Sequence, residues 1–434
     1  MAQHLSRLTF LLVAVSGLNG LIRLPLFMNK IQLFEPIFLV AFIILVAYSF
    51  KKQASEDTFN RWIVFLNPID KALLVFMGLT LLNLTTHPSR SVFMECIGNA
   101  YVLTIYFFFS RTTYLIHPLS NLPKAWRLMG VFTFLACVFS LIWYHQTGSE
   151  RYVTVYPDSA YFGTIVRPKG FSSSSNAAAS VLVFSFFLGK MDLNGAKRLL
   201  FCVFILLAGA LTQSKEIIFL VGLLLLFGLL YTLKSRVSPV LFKVIGITGY
   251  FLWTIVCVVM TLWIISFSDL GAESKHFFIG NLPIFYQPTG YFYLFDVAIR
   301  TIQEAPILGI GLGNFFDKVQ YYKDLGVYPT SLATFEAHDL YWGMLAQLGI
   351  GYIVFLVIFI HALQKTIRQL WQKGLSNEAI TFGCCLLFVG IDAFSDVGAI
   401  HFRHYWILLG IVSGLAACIT HKKQVDILLN VNNT

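Results

Sequence analysis

The sequence predicts an all-α, polytopic integral membrane protein, and three observations carry that prediction. Of the 434 residues, 57% are hydrophobic and only 12% charged, whereas soluble domains carry roughly 45–50% apolar and about 25% charged residues. The mean hydropathy is +0.74. Apolar stretches long enough to cross a bilayer as helices recur along the chain. They are continuously apolar, without the in–out alternation of a membrane β-barrel strand.

These runs divide into about twelve spans, at 6–23, 32–50, 69–86, 92–115, 125–145, 174–190, 197–213, 215–233, 241–266, 338–362, 378–399 and 403–420. Three regions follow. Residues 1–266 hold transmembrane helices one to nine, 267–337 form one long periplasmic loop carrying short helices, and 338–434 hold helices ten to twelve and a cytoplasmic tail. Near the N-terminus Arg7 precedes an apolar run from Leu8 without a small-residue cleavage site, so this run reads as a retained first span. Placing the N-terminus inside puts 18 of the 31 lysines and arginines on the cytoplasmic side, among them Lys51, Lys52, Arg61, Lys190, Lys234, Arg236, Lys422 and Lys423. Two longer segments, 146–173 and 267–337, then face outward. The second is rich in aromatics, and a helical pattern with apolar positions Phe292, Phe295, Ile299 and Ile302 is expected to lie in the headgroup region.

Composition also excludes several functions. The net charge of +10 is accounted for by basic clusters at helix ends, so nucleic acid is not an expected partner. No cytoplasmic loop can hold a nucleotide-binding domain, which removes ATP-driven pumps. The seven cysteines sit in apolar stretches without a C-x-x-C pattern and read as core residues, neither disulfides nor metal ligands. No Asp-x-Asp pair or Gly-x-Ser-x-Gly elbow is present, so no metal, nucleotide or other cofactor is expected.

The residues able to do chemistry are few. His338 stands at the mouth of the tenth span, between Glu336 and Asp339. There it is either a general base for a hydroxyl group or an interfacial helix cap. Tyr341 and Trp342, at i+3 and i+4, share its helix face and either stack on a sugar or belong to the aromatic belt. Outward cations form a second group: Arg167 and Lys169 before the sixth span, Lys215 at a hairpin tip beside Glu216, and Arg403 between His401 and His404. Cations gathered at one mouth suit an anionic ligand, and guanidinium groups suit phosphate; solvated charges or headgroup contacts are the alternative. Intramembrane acids form a third group, Glu95 with Asn99, and Asp392 with Asp396 at i, i+4, with Arg403 or His401 as candidate partners; such acids would equally serve a proton-coupled transporter. Gly309-x-Gly311-x-Gly313 follows no strand and reads as a turn, not a phosphate loop.

Three blocks in this order resemble the O-antigen ligase and O-antigen polymerase superfamily of bacterial envelope enzymes. They are Arg167-x-x-Gly170 with Asn176, then Leu211-Thr-x-Ser214-Lys215, then Glu304-x-Pro306-x-Leu-Gly-x-Gly-x-Gly-Asn-Phe315 leading to His338, Asp339, Gly349 and Tyr352. The resemblance covers about residues 160–355. It departs at Asp339, where the family more often has Asn, Ser or Gln, at Lys215, where Arg is usual, and at Tyr291, where Arg is typical. Arg300, Lys275 or Arg403 are candidates to replace that last cation. The resemblance implies transfer of a glycan from undecaprenyl pyrophosphate to an acceptor hydroxyl at the periplasmic face of the bacterial inner membrane, without metal or cofactor. It implies His338 as the base and Arg167, Lys169, Lys215, Arg300 and Arg403, with Tyr341 and Asp339, around the pyrophosphate and sugars. The acceptor would be lipid A-core for a ligase or a second lipid-linked glycan for a polymerase. A lipid-linked glycan flippase or other carrier is the competing class, and membrane lipids are partners on any reading.

Overall fold

The computed structural model describes residues 2–17, 23–24, 31–32, 34–53, 66–116, 121–159, 163–233, 238–266, 275–279, 282–286, 291–328, 330, 337, 339–394 and 402–420. His338, Asp396 and His401 lie outside the described residues. The described residues include fifteen α-helices. They are α1 (Ala2–Val15), α2 (Phe34–Gln53), α3 (Pro68–Thr86), α4 (Arg90–Ile116), α5 (Leu122–Thr147), α6 (Ser175–Leu188), α7 (Gly195–Leu211), α8 (Lys215–Leu233) and α9 (Pro239–Ser266). Then follow α10 (Tyr291–Glu304), α11 (Phe315–Asp324), α12 (Leu340–Leu348), α13 (Ile350–Gln372), α14 (Ser376–Asp392) and α15 (Arg403–Thr420). Among the described residues α3, α4, α5, α13 and α15 are long and apolar enough to cross a membrane.

Two helices form the axis of the bundle. From Ala177 to Leu188 every residue of α6 is buried. Its run Ala177-Ala178-Ala179-Ser180 carries so little side chain that neighbours close in on all sides. In α15, 89% of the spanning window is buried, against 22% in the peripheral α13. The reason is Gly410 and Gly414, one helical turn apart. A Cβ on Gly410 would lie 2.6 Å from the Tyr106 carbonyl oxygen, and one on Gly414 would collide with the Ser110 carbonyl. Small residues at i and i+4 thus let α15 lie directly on the backbone of α4.

A polar clasp locks the end of the bundle where α3 begins. Asn67 and Asp70 form a capping box, with the Asp70 N–H donating to the Asn67 side chain and the Asn67 N–H to Asp70. The same fully buried Asp70 accepts from the Tyr106 hydroxyl at 2.6 Å and pairs with Arg111 at 3.1 Å. Ser413 completes the clasp, bonded to Asn67 and Tyr106. One acid therefore ties α3, α4 and α15 together. At the same end Arg127 of α5 pairs with Asp192 and donates to the Gly189 carbonyl after α6.

Three features differ from the expectation of apolar helices joined by loops. Short antiparallel hairpins occur, pairing β1 (Arg23–Leu24) with β2 (Ile31–Gln32), β3 (Val153–Ser159) with β4 (Gly163–Pro168), and β5 (Lys275–Ile279) with β6 (Leu282–Tyr286). Their β-branched residues, such as Val153, Thr154, Val155, Ile165 and Val166, favour a pleated surface. The span expected at 338–362 is broken in two at Gly349, whose φ of +63° favours a residue without Cβ. Helix α10 turns a face other than the expected stripe to protein: Tyr293, Leu294, Val297 and Ala298 share a small core with Phe315 and Val319 of α11 and Ala346 of α12, with Ile302 of the stripe packed on it and Phe295 exposed.

Removing one partner of a buried ion pair leaves the other charge uncompensated, at a cost of about 3–5 kcal/mol. Arg111→Ala or Asp70→Ala should therefore unfold the purified protein at markedly lower temperature. Tyr106→Phe, which loses the hydroxyl's bonds to Asp70 and Ser413 but leaves the ion pair, should cost about 1–3 kcal/mol. Thermal unfolding of the three variants in one detergent checks this order; equal stability of Arg111→Ala and wild type contradicts it.

Candidate functional site

The site end is where α3 finishes and α4, α6 and α15 begin. Its best-defined corner is built around Arg167. Strand β4 pairs with β3 so that Arg167 sits opposite Thr154 and Pro168 opposite Val153. The chain then turns at Gly170, φ +58°, where a Cβ would lie 3.2 Å from that of Ala136 on α5. This turn aims Arg167 at the first turn of α6. Its Nη2 donates to Asn176 Oδ1 at 2.8 Å and its Nε to the Thr212 carbonyl at 3.4 Å. Ser214 lies between Asn176 Oδ1, at 2.9 Å, and the buried carboxylate of Glu216. A serine hydroxyl has one proton for these two acceptors. Lys215 begins α8, and Lys169 follows β4, with its N–H donating to the Tyr152 carbonyl at 2.9 Å. Two segments some 45 residues apart, Arg167–Asn176 and Thr212–Glu216, therefore form one polar cluster with three cations in or beside it.

The glycine-rich loop after α10 performs a different task. Gly309, Gly311 and Gly313 have φ of +68°, +97° and +73°. The loop lies against the end of α12: the Ile310 and Gly311 N–H groups donate to the Ala346 and Gln347 carbonyls at 3.1 Å. Gly313 N–H donates to Gln347 Oε1 at 2.6 Å and Leu312 N–H to Asn83 Oδ1 at 2.7 Å. A Cβ on Gly309 would collide with the Gln347 backbone, and one on Gly349 with the Ile307 carbonyl. These N–H groups are satisfied by protein acceptors, so the motif is a docking loop that fixes α12 against α3, rather than a phosphate cradle.

Helix α12 starts beside His338. Asp339 caps it, accepting from the Tyr341 N–H at 2.8 Å and the Trp342 N–H at 3.1 Å. Burial pushes the Asp339 carboxyl up to about 6, against the pull of those two N–H groups. Leu340 N–H donates to the Ala393 carbonyl at 2.8 Å, and the Tyr341 hydroxyl to the Gly390 carbonyl at 3.0 Å. The Tyr341 ring packs on Phe394 with centroids 4.4 Å apart. Ala337, immediately before His338, is buried in the small core shared by α10 and α11. The residues on either side of His338 are thus held by three separate elements.

The remaining expected cations are in ion pairs. Arg403 is bound to Glu35, which also accepts from Tyr101 at 2.8 Å, with Phe34 beneath the guanidinium at 5.0 Å. Arg300 is exposed and pairs with Asp296 one turn away at 2.9 Å. Asp392 accepts from Tyr405 at 2.5 Å, and His404 bonds Ser180 of α6 at 2.9 Å. The structure thus joins Arg167 to Asn176 and the Thr212 carbonyl, with Lys169 and Lys215 adjacent to these segments in the chain, and pairs Arg403 with Glu35 and Arg300 with Asp296. Two positions that matter here were not singled out from the sequence: Glu35, whose place as an acid opening an apolar run was a usable signal, and Asn83, which had none. Among the described residues no group of three His, Cys, Asp or Glu side chains is placed to hold a metal ion.

Residues 200–359 match the family described as O-antigen ligase. No curated protein matches the chain.

The raised Asp339 value fixes a sign. The folded chain binds a proton there between the ordinary carboxylate range and about pH 6, so this contribution to stability is complete at low pH and lost as pH rises through about 6. Asp339→Asn, which keeps a cap acceptor, should abolish that slope, at most about 1.4 kcal/mol per pH unit. Melting temperatures of both proteins from pH 4 to 7 check it; an unchanged slope contradicts it.

Proposed function

We propose that the protein transfers a glycan from undecaprenyl pyrophosphate to an acceptor hydroxyl at the periplasmic face of the bacterial inner membrane, a reading that starts from the match of residues 200–359 to the family described as O-antigen ligase. The observation that carries this reading is the Arg167 cluster. An arginine already oriented by Asn176 and the Thr212 carbonyl, with Lys215 at the neighbouring helix start, suits a diphosphate whose negative charge grows as its bond to the sugar breaks.

In this reading the acceptor oxygen attacks the anomeric carbon in line with the leaving diphosphate. The bond from carbon to phosphate oxygen breaks, its electron pair leaves with the diphosphate, and the configuration inverts. Arg167 and Lys215 neutralise the leaving group, with Lys169 adding charge from the same turn. His338 takes the acceptor proton. Asp339 and Tyr341 hold the helix start that follows His338, and the paired Arg300 and Arg403 stiffen the surroundings. Diphosphate is a good leaving group, so charge neutralisation and one base suffice for the step.

The ligase form, with lipid A-core as acceptor, agrees with the description of the matched family. Joining two lipid-linked repeats as a polymerase uses the same chemistry and is the alternative; a flippase would form no new glycosidic bond. In nanodiscs supplied with a lipid-linked glycan, the wild type should yield glycosylated lipid A-core. His338→Ala should slow transfer roughly 10²–10⁴-fold. Arg167→Lys, which loses the planar fork, should fall well below wild type yet above Arg167→Ala. Elongation of the lipid-linked repeat alone would indicate the polymerase, and transfer at wild-type rate by His338→Ala would defeat the proposal.

A further inference from the structure

Four aromatic rings cover the site end of α5. Phe139 and Trp143 of the helix pack with Tyr152 and Phe171 of the hairpin region, with ring centroids 5.6–6.3 Å apart. Phe139 and Trp143 remain 40% and 38% exposed. They continue a row of exposed apolar residues along α5, Phe132, Leu135 and Ile142, on one face of a helix long and apolar enough to span a bilayer. Past the rings the surface turns polar within one helical turn, at Gln146 and Thr147. The exposed Arg151 lies over the Tyr152 ring at 5.2 Å. Aliphatic, aromatic and polar side chains thus follow one another in the order of acyl chains, interface and water.

We propose that this girdle is a lipid-docking surface that seats the β3–β4 hairpin on the phospholipid leaflet at the site end. The rings lie at the boundary of glycerol and acyl chains, and Arg151 meets lipid phosphate. The occupant is lipid because the face is continuous with the exposed row of a candidate span and, among the described residues, carries no break at which a protein edge would start. A mechanical consequence follows, resting on the function proposed above. Arg167 is on strand β4, paired across the hairpin with Thr154, two residues from Tyr152. Seating the hairpin therefore sets Arg167 at headgroup depth, the depth of a diphosphate on a membrane-anchored donor.

Nitroxide labels at Ile142→Cys and Gln146→Cys, about 6 Å apart along the helix, test the docking. The background is Cys202→Ser and Cys257→Ser, in nanodiscs of phosphatidylethanolamine and phosphatidylglycerol. Oxygen should relax label 142 more than a water-soluble nickel chelate does, and the reverse should hold at 146. Equal nickel access at both sites, or shielding of 142 from both reagents, overturns the proposal. Raising the phosphatidylglycerol fraction should stabilise wild type more than Arg151→Gln; an equal gain removes Arg151 from the surface. Neither readout involves glycan transfer, so their failure is distinguishable from failure of the transferase reading.

Discussion

A chain surrounded by hydrocarbon must satisfy its polar groups from within, since lipid offers no partners. That constraint organises this structure. Polar clusters bind the helices at both ends of the bundle, while buried hydroxyls within the helices, such as Thr80, Ser140 and Ser185, donate to carbonyls of their own helix. At one end Asp70 draws together Arg111, Tyr106 and Asn67. At the other, Glu35 meets Arg403, Ser180 meets His404, Tyr405 meets Asp392, and Asn176 meets Arg167. Helix α6 contributes to two of those last pairs one turn apart, which explains why so buried a helix still carries serine and asparagine.

This arrangement has a chemical consequence. An arginine whose orientation is fixed before a ligand arrives loses less conformational freedom on binding it. Asn176 and the Thr212 carbonyl give Arg167 that orientation, while Asp339 caps the start of α12 and the glycine loop fixes its end. The two supports share no residue. The Arg167 corner and the segment that follows His338 are held independently, so either is open to change without the other collapsing.

Much of the fold was legible in composition and periodicity, because long apolar runs admit few structures in a bilayer. The motif blocks around Arg167 and Ser214 were legible as well, and their meeting through Asn176 needed only the helix ends to coincide. What sequence did not reveal depends on distant partners. Glu35 and Arg403 lie 368 residues apart, and nothing local to either names the other. The break at Gly349 is likewise set by the Ile307 backbone pressing on it, so an apolar run read as one span becomes two helices. Gly410 and Gly414 carry a spacing that implies close packing, but their partner α4 is fixed only by the assembled bundle.

The central claim is that diphosphate binds where Arg167, Asn176 and Ser214 meet. A structure of the protein in nanodiscs with a diphosphate-linked lipid glycan tests it most directly. The account predicts phosphate oxygens within about 3 Å of the Arg167 guanidinium and the Lys215 amino group, with the anomeric carbon turned toward His338. Diphosphate seated on Arg403 or Arg300 instead, with the Arg167 corner empty, would contradict it.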